Sequence, residues 1–527
     1  MIESQPTRSW NLLTEPILRV ITNQGRKRMN LPQLLAALGH DEVHHYEGIQ
    51  RHQEDAFHVF LCNLAAAILG RYNEINLVQC ESYWRRGLRE LAESSSDDAW
   101  ILIVNDPSRP AFMQPPLSLT RFTINTECSD AVDALQLARN HDVKNERAYQ
   151  SEPDTWVYAL ISCHFNAGYS IGGPLGFYFP TLRRKSNYSG RVYVYVAPVG
   201  PPGKQWRYCT ERVISERRRL LKTSEWPYDR SGIVLTWLPP WDGQTSLKLR
   251  DLDPTFIEIT RAVRLRLDEG KIIASLAPTK TPRIFVPKEL SGNIGDPWVP
   301  VDLENGSALS VTEGGWKAGL LRRIIFADGI QCTSLQKAQT SEQGTFILKC
   351  ASLARSKRGT EGYQTQYILI PNNVLPRIWG TPRQSNPLDQ LSRNAIEYAG
   401  KMEHRVLKPA VFAFLQGGSE KIDYDRTTVN TWWSRLSKKF NAGWSDDYFP
   451  WLWSVPEPID QEVALRDWTL RLRKYALETL RQAKDTMPQH SGRRFRSRSR
   501  AELAFRGLLY RTFPLLKEVE HAKSTTR

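Results

Sequence analysis

"PNNVLPRIWGTPRQSNP" spans residues 371–387 and divides the sequence into two parts of different character. It carries four prolines and one glycine, residues that interrupt helices and strands. Upstream of it, apolar runs with helix spacing and strand spacing alternate, whereas downstream of it helix spacing dominates. We therefore predict an α+β chain in which a mixed α/β N-terminal domain (1–380) is followed by a C-terminal four-helix bundle (381–527).

The downstream part has the pattern of a helical bundle. Helices are predicted at about 388–415, 426–441, 459–485 and 500–513 from the spacing of their apolar residues. Three stretches rich in helix-breaking residues separate them: "QGGSEKID", "GWSDDYFPWLWSVPEP" and "MPQHSGRRFRSRSR". Helices of this length joined by such breaks are typical of a four-helix bundle.

The upstream part mixes helices and strands. "DAFHVFLCNLAAAILGRY" (55–72) is strongly apolar with helical spacing, and Asp55 is a candidate cap at its start. "YWRRGLRELAESS" (83–95) predicts a second, amphipathic helix. Apolar runs bounded by turn residues predict strands at "WILIV" (100–104), "RVYVYVAPV" (191–199) and "GIVLTWL" (232–238).

Composition excludes several classes of protein. The 527 residues are enough for two or three domains, and 41% of them are hydrophobic, so the chain can bury sizeable cores. No run of about 18 uncharged apolar residues occurs, so no membrane span is predicted. The seven scattered cysteines form no C-x-x-C pair, which fits a reducing, cytoplasmic location.

The charge balance points to an acidic partner. The net charge is +15, and residues 381–527 hold 26 Lys or Arg against 17 Asp or Glu. A basic chain attracts phosphate backbones, which favours contact with nucleic acid. The alternative is an ordinary solvated basic surface.

Three basic segments carry this interpretation further. They contain Arg183 and Arg184 in "PTLRRKSNYSG", Arg355, Lys357, Arg358 and Gly359 in "ASLARSKRGTEGY", and Arg493, Arg494 and Arg496 in "SGRRFRSRSR". All three are predicted as loops, in which glycine allows close approach and Arg or Lys neutralises phosphates. A solubilising surface loop is the alternative for each one alone.

An enzymatic interpretation rests on two His-Asp pairs, His40–Asp41 and His141–Asp142. A metal-dependent HD-type nuclease would use His141–Asp142 as ligands, with further ligands converging from elsewhere. His40 and His44 have the spacing of one helix face, but the polar segment that holds them is predicted as a loop. The sequence contains no phosphate-binding G-x-x-x-x-G-K-[ST] loop and no G-x-G-x-x-G fingerprint.

Six segments occur in an order that is informative as a set. They are "WNLLTEPILRV" (10–20), "RPAFMQPPL" (109–117), "ARNHDVKN" (138–145), "TWVYALISCHFNAGYSIGGPLGFY" (155–178), "LTWLPPWDGQTSLKLRDLDPTFIEITRAVRL" (235–265) and "TKTPRIFVPKELSGNIGDPWVPV" (279–301). Together with the helical C-terminus, they resemble the CasA proteins. CasA is the large subunit of the type I-E CRISPR surveillance complex called Cascade. The resemblance spans nearly the whole chain.

The resemblance implies a non-catalytic, nucleic-acid-binding subunit without a cofactor. Its function would be to read the protospacer-adjacent motif on double-stranded target DNA, to aid strand separation and R-loop formation, and to recruit the helicase-nuclease effector. Its partners would be the guide CRISPR RNA, the small-subunit dimer, and the backbone and 5′-end subunits. A lone RNA-binding protein is the remaining alternative.

The resemblance also implies roles for particular residues. The loop 140–144 would contact the guide-RNA backbone or neighbouring subunits near the motif site. Asn140 and Lys144 would be its RNA-facing pair, while His141 and Asp142 would hold the shape of the loop. Gly172 and Gly173 would approach the minor groove, and either Lys280 or Lys288 would lie near the motif. Loop 355–359 best matches the strand-separating wedge of the family, but it is basic where the family's wedge is polar.

Overall fold

The structure is a computed structural model that describes most of the chain. The described residues are 10–117, 124–133, 152–166, 190–223, 225–277, 279, 281–311, 314–356, 359–418, 421–487 and 491–516. The chain divides into two compact units, the first comprising 1–316 and 327–372 and the second 317–326 and 373–527. The sequence boundary at 380 therefore falls inside the second unit, which also contains the separate segment 317–326.

The first unit contains both helices and strands. Its helices are α1 (Leu31–Gly39), α2 (Arg51–Tyr72), α3 (Glu81–Leu91), α4 (Pro153–Phe165) and α5 (Pro202–Lys222). Its strands are β1 (Leu18–Thr22), β2 (Gly25–Met29), β3 (Val43–Tyr46), β4 (Ile124–Thr126), β5 (Val192–Pro198), β6 (Ile233–Leu235), β7 (Leu247–Lys248), β8 (Leu252–Ile257), β9 (Ala262–Asp268), β10 (Lys271–Ala277), β11 (Ile284–Phe285), β12 (Val301–Asp302), β13 (Ser307–Ala308), β14 (Ile330–Gln331), β15 (Phe346–Ser356) and β16 (Gly359–Ile370).

Helix α2 is the central element of this unit. Every residue from 55 to 70 is buried, because the run is apolar on all sides and packs against α4, α5 and β8. The predicted helix is confirmed, but it begins at Arg51, so the expectation that Asp55 caps its start was wrong. Asp55 lies one turn inside the helix and is buried.

Among the described residues, the first unit has four three-stranded antiparallel sheets, with strand orders β2-β1-β3, β4-β10-β9, β13-β12-β14 and β16-β15-β5. Strand β5 confirms the prediction at 191–199 and is buried throughout. The strand predicted at 100–104 was wrong. Trp100 ends a short 3₁₀ turn, and its indole Nε1 donates to the Leu88 carbonyl at 3.1 Å, which holds this segment in an irregular path.

The second unit consists of helices. They are α6 (Ala318–Ile325), α7 (Leu375–Trp379), α8 (Pro387–Lys401), α9 (Lys408–Leu415), α10 (Thr427–Ser454), α11 (Gln461–Thr486) and α12 (Arg494–Thr512). A π-helical turn, Met402–Leu407, joins α8 to α9, so the two run on as the single helix expected at 388–415.

Helix α10 is longer than the sequence predicted. It continues through "GWSDDYFPWLW", which was expected to break the helix, and it contains Pro450 in its interior. Proline removes one helical hydrogen bond and costs about 3 kcal/mol. Burial of Trp444, Tyr448 and Trp451 offsets that cost, since large aromatic rings gain the most from leaving water. Among the described residues, no helix is long and apolar enough to cross a membrane.

Candidate nucleic-acid interface

Strands β15 and β16 form a long antiparallel hairpin that ends in the basic loop. The pairing runs from Phe346 with Ile370 to Ser356 with Gly359, and its register shifts between Ala354 and Arg355. Such a shift bends a strand locally. Opposite it, Gly362 has a φ of +85°, a conformation that glycine adopts without strain.

The hairpin places the predicted wedge at its tip. Arg355 is the next-to-last residue of β15 and Gly359 is the first residue of β16. Lys357 and Arg358, between the two strands, lie outside the described residues. The predicted basic segment therefore falls where the two strands of one hairpin, β15 and β16, meet.

Side chains from α2 hold the hairpin to the core of the first unit. The Tyr363 hydroxyl donates a 2.8 Å hydrogen bond to Asp55 Oδ2, and the Arg51 guanidinium lies 4.6 Å from the centre of the Tyr367 ring. Burial raises the pKa of the Asp55 carboxyl, although the charge of Lys349 and the Tyr363 hydrogen bond act in the opposite direction. These contacts hold β16 to α2 at two points, Tyr367 toward the base of the hairpin and Tyr363 four residues from Gly359 at the tip.

The arginine-rich segment 491–500 is a helix start rather than the loop predicted. Arg493 occupies the position just before α12 without capping it by a side-chain hydrogen bond, and Arg494 and Arg496 lie in the first turn of the helix. All three are exposed, and among the described residues none of them forms an ion pair. Between them Phe495 is 86% exposed, so the helix start combines positive charge with an aromatic ring. That combination suits single-stranded nucleic acid, because the positive charges bind its phosphates and the aromatic ring stacks on a base.

Most of the other residues predicted to bind nucleic acid lie outside the described part of the chain. Lys288 is exposed in a short 3₁₀ turn of the first unit. The others lie outside the described residues: Asn140, His141, Lys144, Gly172, Gly173, Arg183, Arg184 and Lys280. Their roles stay predictions.

The first His-Asp pair has a structural role. Asp41 forms an ion pair with Arg207, and Arg207 also donates to the Gly39 carbonyl at 2.6 Å. His44 lies in strand β3, not in the polar loop that the sequence predicted. In the part of the chain that the structure describes, no three His, Cys, Asp or Glu side chains converge as a metal site needs.

Sequence reasoning missed a basic face on the first sheet. Residues paired directly across two antiparallel strands have their side chains on the same face of the sheet. Across β1 and β2, Arg19 pairs with Arg28 and Ile21 pairs with Arg26. Arg26 pairs with Glu47 at 2.8 Å, and Arg28 pairs with Glu152 at 3.2 Å. The signal was the strand-like R-x-R alternation in "GRKRM" (25–29).

A cavity of about 540 Å³ in the first unit was also missed. Residues from β3, α2, β5 and β15 line it, among them Asp55, His58, Tyr195 and Lys349. Burial, aided by the charge of Lys349, lowers the pKa of His58 to about 3, so this imidazole is neutral near pH 7. No local motif marks this site, because its residues come from segments far apart in the sequence.

In its fold, the chain is similar to one class of protein, the CRISPR-associated proteins. Solved structures of CRISPR-associated proteins share it over almost their full length. Under 25% identity such a likeness establishes the fold, and here it establishes the mixed unit followed by helices.

The particular proteins are CasA, also called Cse1. A CasA structure from Thermus thermophilus superposes with a TM-score of 0.64 at 15% identity, covering 95% of this chain and 99% of that one. Cse1 from Thermobifida fusca gives 0.63 at 12% identity, covering 96% and 98%. A chain of a "CRISPR RNA-guided surveillance complex" gives 0.56 at 12% identity, covering 94% and 99%. No protein-family model and no curated protein matches the sequence.

Proposed function

We propose that this chain is the large subunit of a type I-E CRISPR RNA-guided surveillance complex and has no catalytic role of its own. The observation that carries the proposal is the CasA fold, shared over 95% of the chain. The likeness to a chain from a solved surveillance complex supports the same kind of assembly here.

In this role the chain recognises the protospacer-adjacent motif on double-stranded DNA. Guide RNA reads the target sequence by base pairing, which leaves the protein a short duplex motif and the backbone to recognise. Gly172 and Gly173 approach the minor groove, with Lys280 or Lys288 beside them. The minor groove distinguishes mainly A·T from G·C pairs, so we expect several related motifs to be accepted.

The β15–β16 hairpin is the proposed strand-separating element. Its strands are eleven and twelve residues long, and the hydrogen bond from Tyr363 to Asp55 holds the hairpin to α2 four residues from Gly359 at the tip. Arg355, Lys357 and Arg358 bind phosphates on either side of the opening duplex. Neutralising these phosphates stabilises the separated strands and so aids R-loop formation.

The helical unit provides the proposed contacts to the small subunits and the displaced strand. Helix α11 exposes Val463, Leu470 and Leu477 at seven-residue spacing, and α12 exposes Leu503. An apolar stripe at this spacing lies on one face of a helix and suits a partner helix. The start of α12, with Arg493, Arg494 and Arg496, supplies the charge that a displaced strand requires.

The hairpin assignment is tested by a triple variant, Arg355→Ala, Lys357→Ala and Arg358→Ala. We expect the assembled complex to bind motif-bearing duplex about 100-fold more weakly at 0.15 M salt, since about three phosphate contacts are lost. Binding is measured by fluorescence anisotropy, and guide-RNA assembly by co-purification should be unchanged. The control removes three exposed cations of α10, Arg435, Lys438 and Lys439, and should change duplex affinity little.

Two results would contradict the proposal. Unchanged duplex affinity in the hairpin variant would remove the hairpin from strand separation. Cleavage of single- or double-stranded DNA with manganese or nickel, lost in His141→Ala, would establish a nuclease instead. Co-purification with guide RNA and the other Cascade subunits distinguishes the proposed subunit from a lone RNA-binding protein.

A further inference from the structure

The start of α2 contacts the starting points of two chain segments that carry predicted nucleic-acid residues. The predicted RNA-facing pair lies in the segment 134–151, and the predicted minor-groove glycines lie in the segment 167–189. Asp133 directly precedes the first segment and Asn166 directly precedes the second, and both side chains are buried. Contacts between α2 and these two residues therefore fix the points from which both segments begin.

His52, in the first turn of α2, contacts both of these residues. Its Nε2 donates a 2.7 Å hydrogen bond to Asp133 Oδ1, and its backbone carbonyl accepts a 2.9 Å hydrogen bond from the Asn166 side-chain amide. Gln53 Nε2 donates to Asp133 Oδ2 at 2.9 Å, and the Tyr193 hydroxyl donates to Asn166 Oδ1 at 2.9 Å. All five side chains are buried, and hydrogen bonds in a buried network hold their members in fixed positions.

The same histidine also contacts the β15–β16 hairpin. The His52 ring packs edge-on against the Tyr363 ring of β16, with centroids 5.9 Å apart and an interplanar angle of 62°. At the far end of the segment 167–189, the Gly190 N–H donates to the Leu353 carbonyl of β15 at 2.9 Å. A Cβ atom at position 190 would lie 2.8 Å from the Cβ of Leu353, so glycine alone permits this close approach. One histidine thus lies between the hairpin and the starting points of both segments.

We propose that His52 is a positioning residue for recognition of the protospacer-adjacent motif. Because it is buried, it touches no nucleic acid itself and acts by holding the starting points of both segments in place beside the hairpin. The inference rests on the proposed function, which assigns motif reading to these segments. A hydrogen bond to a base edge requires close alignment of donor and acceptor, whereas the attraction of a cation to phosphate falls off slowly with distance. Loss of His52 should therefore reduce the preference for the motif more than the general affinity for duplex.

The test measures motif preference in the assembled complex. The probe is a pool of target duplexes with randomised base pairs beside the target, sequenced before and after binding. The preference is the affinity for the best-bound motif divided by the mean affinity for the pool. We expect His52→Leu to lower this preference by about tenfold, the discrimination that one well-placed base contact supplies. The slope of log K against log salt should keep its wild-type value, because the number of phosphate contacts is unchanged.

Three further variants separate positioning from a loss of folding. His52→Gln keeps a side-chain N–H donor for Asp133 and should retain most of the preference. Tyr193→Phe removes only the hydroxyl that holds Asn166, and it should lower the preference by about threefold, as one buried hydrogen bond is lost. The matched control is His58→Phe, which removes another buried histidine of the same helix and should keep the wild-type preference. A variant that only unfolds some of the molecules binds every motif more weakly by the same factor, so its preference does not change.

The outcomes distinguish this inference from the proposed function. Wild-type preference in both His52→Leu and Tyr193→Phe would overturn the positioning role and leave the proposed function standing. An equal loss of preference in His52→Leu and His58→Phe would also overturn it, because the effect would then belong to the packing of α2 as a whole. A wild-type complex that shows no preference among the motifs would instead overturn the proposed motif recognition, on which the positioning role depends.

Discussion

His58 and His164 show how burial sets the charge of single residues in the first unit. Both side chains are almost completely buried, and burial lowers the pKa of each to about 3, with nearby Lys349 and Arg261 adding to the effect. The same imidazoles titrate near pH 6.5 in an unfolded chain. Between these values the unfolded chain binds more protons than the folded chain, so stability is complete above about pH 6.5 and is lost as the pH falls.

Replacing His58 by Phe should reduce this pH dependence. Between pH 7 and pH 5 a histidine shifted in this way costs about 2 kcal/mol of unfolding free energy. Urea unfolding at the two pH values should therefore show a fall about 2 kcal/mol smaller in His58→Phe than in the wild type. His40→Gln alters a histidine exposed in the folded and unfolded chains alike, and it should keep the wild-type fall. An equal fall in all three proteins would mean that His58 becomes protonated within the fold.

At the scale of elements, the start of α12 carries charges that disfavour its own helix. Its first turn contains no acidic residue but holds Arg494 and Arg496, and Arg493 directly precedes it. The N-terminus of a helix bears partial positive charge, so cations there are unfavourable. A helix start that costs stability in this way is consistent with a binding role for these arginines.

The double variant Arg494→Glu, Arg496→Glu should separate stability from binding. Each substitution should stabilise the second unit by about 0.5 kcal/mol, because acidic residues favour a helix N-terminus. The assembled complex should bind single-stranded DNA more weakly, by about tenfold, as two phosphate contacts are lost and repulsion is gained. Urea unfolding and fluorescence anisotropy measure the two effects, with Glu502→Gln on the same helix as control. Unchanged single-strand affinity would assign these arginines to solubility.

How far the sequence predicts the elements depends on whether local or distant contacts decide them. Helix α2 and strand β5 were predictable because long apolar runs allow few alternatives. The predicted helix ended at 441 because Gly443 and Pro450 follow. Helix α10 continues past them because its later turns pack on a distant helix, where the Trp468 ring stacks on Trp451 with centroids 4.5 Å apart. The cavity was invisible for the same reason, since Asp55 and Lys349 meet only in the folded chain. The basic hairpin tip was predictable because its residues are neighbours in the sequence.

For the whole molecule, the question is whether the net charge of +15 acts as a general field or through local contacts. A general field would respond equally to the loss of any three surface cations, because its range exceeds the spacing of single residues. Local phosphate contacts would respond only where the cations touch the backbone, and each contact contributes about −0.9 to the slope of log K against log salt.

The salt dependence of duplex binding by the assembled complex decides between these possibilities. The hairpin variant lacking Arg355, Lys357 and Arg358 should reduce the magnitude of the slope by about 2.7, the value for three contacts. The α10 control, which lacks Arg435, Lys438 and Lys439, loses the same charge and should keep the wild-type slope. Equal changes in both variants would show that charge acts at a distance, by steering DNA toward the complex. A change confined to the hairpin would place the phosphate contacts at its tip, where strand separation requires them.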